Sequence, residues 1–240
     1  TNELWLVNTK RETTVDFMER RRAAGENVEI AFNTSGWRPW GGRAATDATY
    51  AALYRWDMTD GRELSCGKEP GRGTYFIVRK DGGEFIRSGI EPGMTNDWSI
   101  AVYGNRPILE NGRRVNAGIR TAGPPHLAPR LALGLSPDQK TLVILAVDGR
   151  QSGLSEGATC ADLADILLRE GCTDAVNMDG GGSTSLVVWD SASSSPKMLN
   201  SHADGYRRRV AVNLGIVFDE GNGGVRSLRK RRRASFTDSR

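Results

Sequence analysis

Two aspartates each close an apolar run and are each followed at once by glycine: Asp148-Gly149-Arg150 and Asp179-Gly180-Gly181-Gly182-Ser183. Three adjacent glycines remove every Cβ from the second turn, so its backbone N–H groups can approach a ligand and converge on an anion. The Asp179 carboxylate stands on one side of that turn and the Ser183 hydroxyl on the other. Such a set suits a negatively charged substrate, with a carboxylate at hand for proton or nucleophile chemistry. A glycine run joining two strands can also be a plain turn. A flexible linker is the poorer reading, because linkers join polar segments and this run lies between apolar ones.

The flanking elements decide whether these groups meet. Leu131 to Leu135 and Thr141 to Val147 flank Ser136-Pro137-Asp138-Gln139-Lys140, which reads as a hairpin. A turn centred between Asp138 and Gln139 sets Arg130 opposite Val147, next to Asp148. Thr159-Cys160-Ala161-Asp162 is a capping-box pattern, and Leu163, Ile166 and Leu167 give its helix one apolar face before Gly171 stops it. A strand over Ala175 to Met178 then ends at Asp179. Strand, helix and strand form a β-α-β unit. If its strands are parallel, Asp148 and Asp179 leave the same sheet edge, where open α/β sheets bind ligands. An earlier unit is predicted from Leu4 to Val7, a helix from Thr13 to about Ala24, and a strand from Val28 to Phe32 ending at Asn33. Tyr75 to Val78 with Glu84 to Ile86 reads as a hairpin, Ser99 to Tyr103 as a strand, and Asn111-Gly112 as a turn between short strands. Residues 116–129 and 191–205 read as loops, and Arg209 to Phe218 as a long last strand. The expected fold is α+β: a single catalytic domain with a mixed sheet, β-α-β units and helices packed on the sheet.

Composition bounds the class. A chain of 240 residues with 38% hydrophobic and 26% charged residues has a real core. No apolar run approaches the roughly 18 residues that span a bilayer. No signal peptide is visible at Thr1, and the absence of an initial Met leaves room for an upstream segment. From Arg226 to Arg240 seven basic residues and one acid give +6, so the +4 of the whole chain leaves −2 for the body. The expected division is therefore a domain over residues 1–220 and a basic, solvated tail over 221–240. That tail could also contact anionic polymers or membrane headgroups. Cys66, Cys160 and Cys172 lack metal spacing, and the last two flank one helix about 18 Å apart, too far to bridge.

Single residues carry less weight than the set. Asn33 can serve a turn backbone, Arg130 an ion pair, and Arg209 sits in the run Arg207-Arg208-Arg209. His126 and His202 lie in polar or Pro-rich loops. No nucleophile-elbow, phosphate-loop, HExxH or CxxC pattern is present.

Val176-Asn177-Met178-Asp179-Gly180-Gly181-Gly182-Ser183, preceded by Val147-Asp148-Gly149-Arg150 and the intervening helix, resembles the phosphodiester glycosidase family. Ile30-Ala31-Phe32-Asn33 looks like the family's opening Asn motif, and Pro129 to Gly134 like its Arg-Thr-x-x-Gly motif. Arg209-Val210-Ala211-Val212-Asn213 is similar to its closing Arg…Asn motif. Leu131 replaces the usual Thr, and Thr34-Ser35-Gly36-Trp37 replaces a Gly-rich, Phe-containing turn. The resemblance implies hydrolysis of a sugar–phosphodiester bond at the anomeric carbon, by a protein that is exported (periplasmic, cell-surface or secreted) and of bacterial, exopolysaccharide type. It implies Asp179 and Asp148 as catalytic carboxylates. It implies Asn33, Arg130, Arg150, Gly180, Gly181, Gly182, Ser183, Thr184, Arg209 and Asn213 as substrate or phosphate contacts. No cofactor is required, although two aspartates beside a phosphate admit a divalent cation. The partner is a sugar-phosphodiester or phosphoglycan, with no nucleic acid and no transmembrane segment. A binding module that holds the phosphoglycan without cleaving it is the alternative.

Overall fold

The structure, a computed structural model, describes residues 8–38, 49–53, 55–65, 73–81, 84–89, 95–115 and 127–218. In chain order its elements begin with β1 (Asn8–Lys10), α1 (Thr14–Ala23), β2 (Val28–Asn33), β3 (Trp37–Arg38) and β4 (Tyr50–Leu53). There follow β5 (Asp57–Thr59), β6 (Arg62–Ser65), β7 (Thr74–Arg79), β8 (Glu84–Ser88), β9 (Trp98–Gly104), β10 (Arg106–Glu110) and β11 (Arg113–Arg114). The last third holds β12 (Arg130–Leu135), β13 (Leu142–Val147), α2 (Cys160–Arg169), β14 (Asp174–Asn177), β15 (Leu186–Asp190), β16 (Ser195–Met198) and β17 (Asn213–Val217).

The expected α+β class is wrong. The described residues form predominantly antiparallel β-structure with two helices of ten residues each. The sheets run β11-β10-β14-β12-β13, β16-β15-β2-β17, β6-β5-β9-β7-β8 and β1-β4-β3, and their pairings are antiparallel. Tight turns account for the hairpin pairs β5-β6, β10-β11, β12-β13 and β15-β16, while β10-β14, β12-β14, β2-β15 and β2-β17 pair antiparallel over long range. Asn111 and Gly112 both take positive φ, 49° and 73°, which a two-residue hairpin turn requires. Neither β-α-β unit is built as expected. Residues 4–7 lie outside the described residues, and β1 sits in a different sheet from β2. Around α2, the hairpin strand β12 inserts between β13 and β14. Since β12 is antiparallel to both, β13 and β14 still point the same way, and Asp148 and Asp179 leave one edge.

Local signals account for the elements themselves. Both helices open on a complete capping box, Thr13 with Asp16 and Thr159 with Asp162. Gly171, at φ 84°, follows the end of α2. Leu163, Ala164 and Leu167 of α2 pack with Ile108, Leu109, Ala132 and Ala175 of the β10-β14-β12 sheet. The other face of that sheet, through Leu131, Leu133 and Val176, meets Phe32 of β2 and Phe76 and Val102 of the β7-β9 sheet. The site-bearing strands are thus covered on both faces, which holds their ends in place. The last strand is shorter than expected: Val210 bridges to Glu12 and regular pairing starts only at Asn213. The polar stretch expected as a loop contains β16, paired with β15. The basic tail, Cys66 and His126 lie outside the described residues.

Candidate active site

The site grows from the ends of β14 and β12. Ala132 pairs with Asn177, and the Met178 N–H donates to the Leu131 carbonyl at 2.8 Å. Continuing that register sets Asp179 across from Arg130. Arg130 in turn pairs with Val147, as the hairpin reading predicts. The segment after β2 straps this end down. The Asp179 N–H donates to the Thr34 carbonyl at 2.9 Å. Asn33 Nδ2 donates to the Asp179 carbonyl at 2.8 Å, while its Oδ1 accepts from the Ser185 N–H at 2.9 Å. Asn33, fully buried, therefore clamps both ends of the glycine turn.

Inside the turn, Gly181 has φ 63°, and residues Gly181–Ser183 form one turn of 3-10 helix. Its amides are largely engaged. Gly181 N–H donates to the Pro129 carbonyl at 2.9 Å, and Ser183 and Thr184 N–H donate back to Gly180 and Gly181. The Gly180 N–H turns toward the Asp179 carboxyl. The turn thus shapes and polarises the carboxylate through its Gly180 amide, with the Gly181 amide committed to Pro129.

A pocket of about 410 Å³ opens at this edge. Of the residues expected in the site, Arg130, Arg150, Asp179, Gly180, Gly181, Gly182 and Ser183 line it. Gly36, Trp37, Asn105, Asn177 and Arg208 line it as well and were not foreseen. Asn177 is 1% exposed and its Oδ1 is buried without a hydrogen-bond partner. Arg150 holds φ 55°, a left-handed backbone unusual for a residue with a Cβ, beside Gly181. Arg130 Nε donates to the Ala158 carbonyl at 3.1 Å.

The other expected residues stand outside the lining. Asp148 Oδ1 accepts from the Ser201 N–H at 2.7 Å, so this carboxylate anchors the segment after β16. Arg209 is exposed, and its neighbour Arg208 occupies the wall. Asn213 pairs with Asn33 in register and accepts from the Thr14 hydroxyl at 2.8 Å. Thr184 is buried behind the turn. Three successive arginines signalled this region, but regular alternation begins only at Asn213, so spacing could not select Arg208.

Within the pocket, electrostatics mark Asp179. Burial pushes its carboxyl up to about 7. The Ser183 hydroxyl, the Arg208 charge and the Gly180 N–H each pull it back down in part. An acid poised near neutrality, at the wall of a pocket that also holds three arginines, can exchange a proton at physiological pH. The guanidiniums can hold an anion through paired N–H donors. Among the described residues no group of three or more His, Cys, Asp or Glu is placed to hold a metal ion, and no helix there is long and apolar enough to cross a membrane.

Residues 54–217 match the family model described as phosphodiester glycosidase, and the chain belongs to that family. Over 97% of its length it is 29% identical to the SPbeta prophage-derived uncharacterized protein YomE of Bacillus subtilis (strain 168), and it spans 35% of that relative. Among solved structures it is similar to the catalytic domain of zebrafish N-acetylglucosamine-1-phosphodiester alpha-N-acetylglucosaminidase, auto-inhibited by its pro-peptide. That match has TM-score 0.58 and 17% identity over 88% of this chain and 70% of that one. A hypothetical protein from Synechocystis matches at TM-score 0.55 and 14% identity, over 86% of this chain and 54% of that one.

Proposed function

We propose that the protein is a hydrolase that cleaves a sugar–phosphodiester bond at the anomeric carbon, with Asp179 as the base for water. The observation that carries this reading is a single carboxyl held near pH 7 in a pocket lined by Arg130, Arg150 and Arg208, in a chain of this family. The leaving group is a phosphate ester that departs as an anion, so acid assistance matters less than in an ordinary glycoside. What helps is fixed positive charge where negative charge develops. Water attacks C1 as the C1–O bond breaks, and the bonding pair leaves on the phosphate ester. Asp179 takes the proton from water. The arginines receive the phosphate, while Trp37, Asn105 and Asn177 line the remaining wall for the sugar. Asp148 acts at one remove, by holding Ser201. We extend the reading to an exported enzyme acting on a phosphoglycan such as an exopolysaccharide or a GlcNAc-1-phosphodiester.

The test is a panel of sugar-1-phosphodiesters, including teichoic-acid-like polymers, with the products assigned by phosphorus NMR and mass spectrometry. Release of free sugar and a phosphomonoester is the expected result, with loss of turnover in Asp179→Asn at saturating substrate. Tight binding of the same compounds without turnover would favour the binding-module alternative.

A further inference from the structure

We propose that Asp204 is an internal occupant of the anion subsite: its carboxylate holds Arg208 in place of a phosphate group and withdraws with residues 202–209 when phosphate binds. The identity of the anion rests on the glycosidase reading; the rest stands on geometry.

Asp204 and Arg208 form an ion pair four residues apart, each side chain about one-quarter exposed (26% and 25%). Both lie directly against Gly182, where a Cβ would collide with the carboxylate and the guanidinium at once. Arg208 lines the same pocket as Asp179. Its Nε is buried and without a hydrogen-bond partner, so the guanidinium keeps donor capacity that Asp204 does not use. A carboxylate and a phosphate present the same oxygen pair to a guanidinium fork, and phosphate brings a further acceptor oxygen and more charge. The replacement therefore satisfies Arg208 better than Asp204 does.

The segment is built to exchange. One end is pinned where Ser201 N–H meets Asp148 Oδ1 at 2.7 Å and Ser201 Oγ meets Gln151 Oε1 at 2.7 Å. The other is pinned where Val210 and Glu12 exchange backbone hydrogen bonds at 2.9 and 3.1 Å. Between the pins there is neither helix nor strand, and Gly205 at φ 71° has open space where a side chain would stand. His202, in the same segment, has both ring nitrogens buried and unpartnered. Unpaired buried polar atoms cost free energy that an alternative, solvated arrangement recovers. With Asp204 on Arg208, the closed arrangement is thus internally paired at one residue and unsatisfied at another.

Removing the competitor exposes the subsite. Calorimetric titration with inorganic phosphate is run on the wild type, on Asp204→Asn, and on Asp204→Asn with Arg208→Gln. An ion pair of this partial exposure sets the expected gain for Asp204→Asn at about five-fold tighter phosphate binding. The double variant is expected to lose that binding. Asp204→Ser serves as the second single substitution if Asn impairs folding. The proposal is overturned if neither single variant binds phosphate more tightly than the wild type, or if the gain survives in the double variant. Tighter phosphate binding without turnover of any sugar phosphodiester would sustain the subsite and reject the glycosidase reading alone.

Discussion

Asp179→Asn should make the protein more stable while it destroys the activity, and the gain should depend on pH with a defined sign. The Asp179 carboxyl moves from its ordinary 3.8 to about 7 on folding, chiefly through burial. A raised carboxyl pKa means that the folded state binds the proton more tightly than the unfolded state. Below about pH 4 both states are protonated and the group costs nothing. As pH rises from about 4 to 7 the unfolded state ionises first, and stability falls. Above about pH 8 the full penalty applies, and at about 1.4 kcal/mol per pKa unit it amounts to about 4 kcal/mol. Asparagine carries no charge at any pH and can still accept from the Ser183 hydroxyl and the Gly180 N–H. The assay is reversible urea unfolding of the wild type and variant at pH 5 and pH 8. The variant should exceed the wild type by about 1–2 kcal/mol at the lower pH and by about 4 kcal/mol at the higher one, the gain growing by about 2–3 kcal/mol between them. Asp57, also pushed up to about 7 by burial, adds its own pH dependence to both proteins and cancels in the comparison. Equal pH dependence in the two proteins would refute the assignment of Asp179 as a titrating group near neutrality, and with it the argument for its role as base.

Other substitutions probe the walls around that carboxyl. Arg208→Gln removes a charge that lowers the Asp179 pKa, so the rise of kcat/KM with pH should shift to higher pH; an unmoved profile would detach Arg208 from the chemistry. Asn33→Ala deletes both hydrogen bonds of the clamp at a fully buried position and should cost about 1–3 kcal/mol in urea unfolding, with a fall in kcat larger than any rise in KM. Gly181→Ala forces a Cβ into a left-handed backbone, at 3.4 Å from Arg150 Nη1. It should cost about 1 kcal/mol in thermal or urea unfolding and weaken inhibition by inorganic phosphate.

The local parts of this site were legible because short-range rules govern them. The turn at Ser136 to Lys140 set the Arg130–Val147 register without reference to the rest of the chain. The capping boxes at Thr13 and Thr159 marked both helix starts. Asp148 and Asp179 share an edge as expected, although the reason differs: β13 and β14 are parallel across an intervening β12 rather than as neighbours. That insertion depends on long-range pairing, which no local spacing encodes, and it turned an expected mixed sheet into an antiparallel one. The strand β16 was hidden because it is an edge strand of four residues, Ser195 to Met198, that carries a proline and directly follows a serine run. Asn177 reads as an ordinary strand residue, and its empty acceptor is visible only once its neighbours are placed.

The Asn33 clamp has a consequence for how the protein acquires its active site. Its two bonds join positions 146 and 152 residues apart, so they close among the widest loops in the chain. Closing a loop of that span costs more entropy than closing the hairpins on either side. The span that matches the family begins at residue 54, downstream of Asn33, Gly36 and Trp37. A chain trimmed to that span would retain Asp179 and every arginine of the pocket, yet lose the pin that orients them. The geometry of the candidate site is thus set jointly by the segment after β2 and the turn after β14, not by either alone.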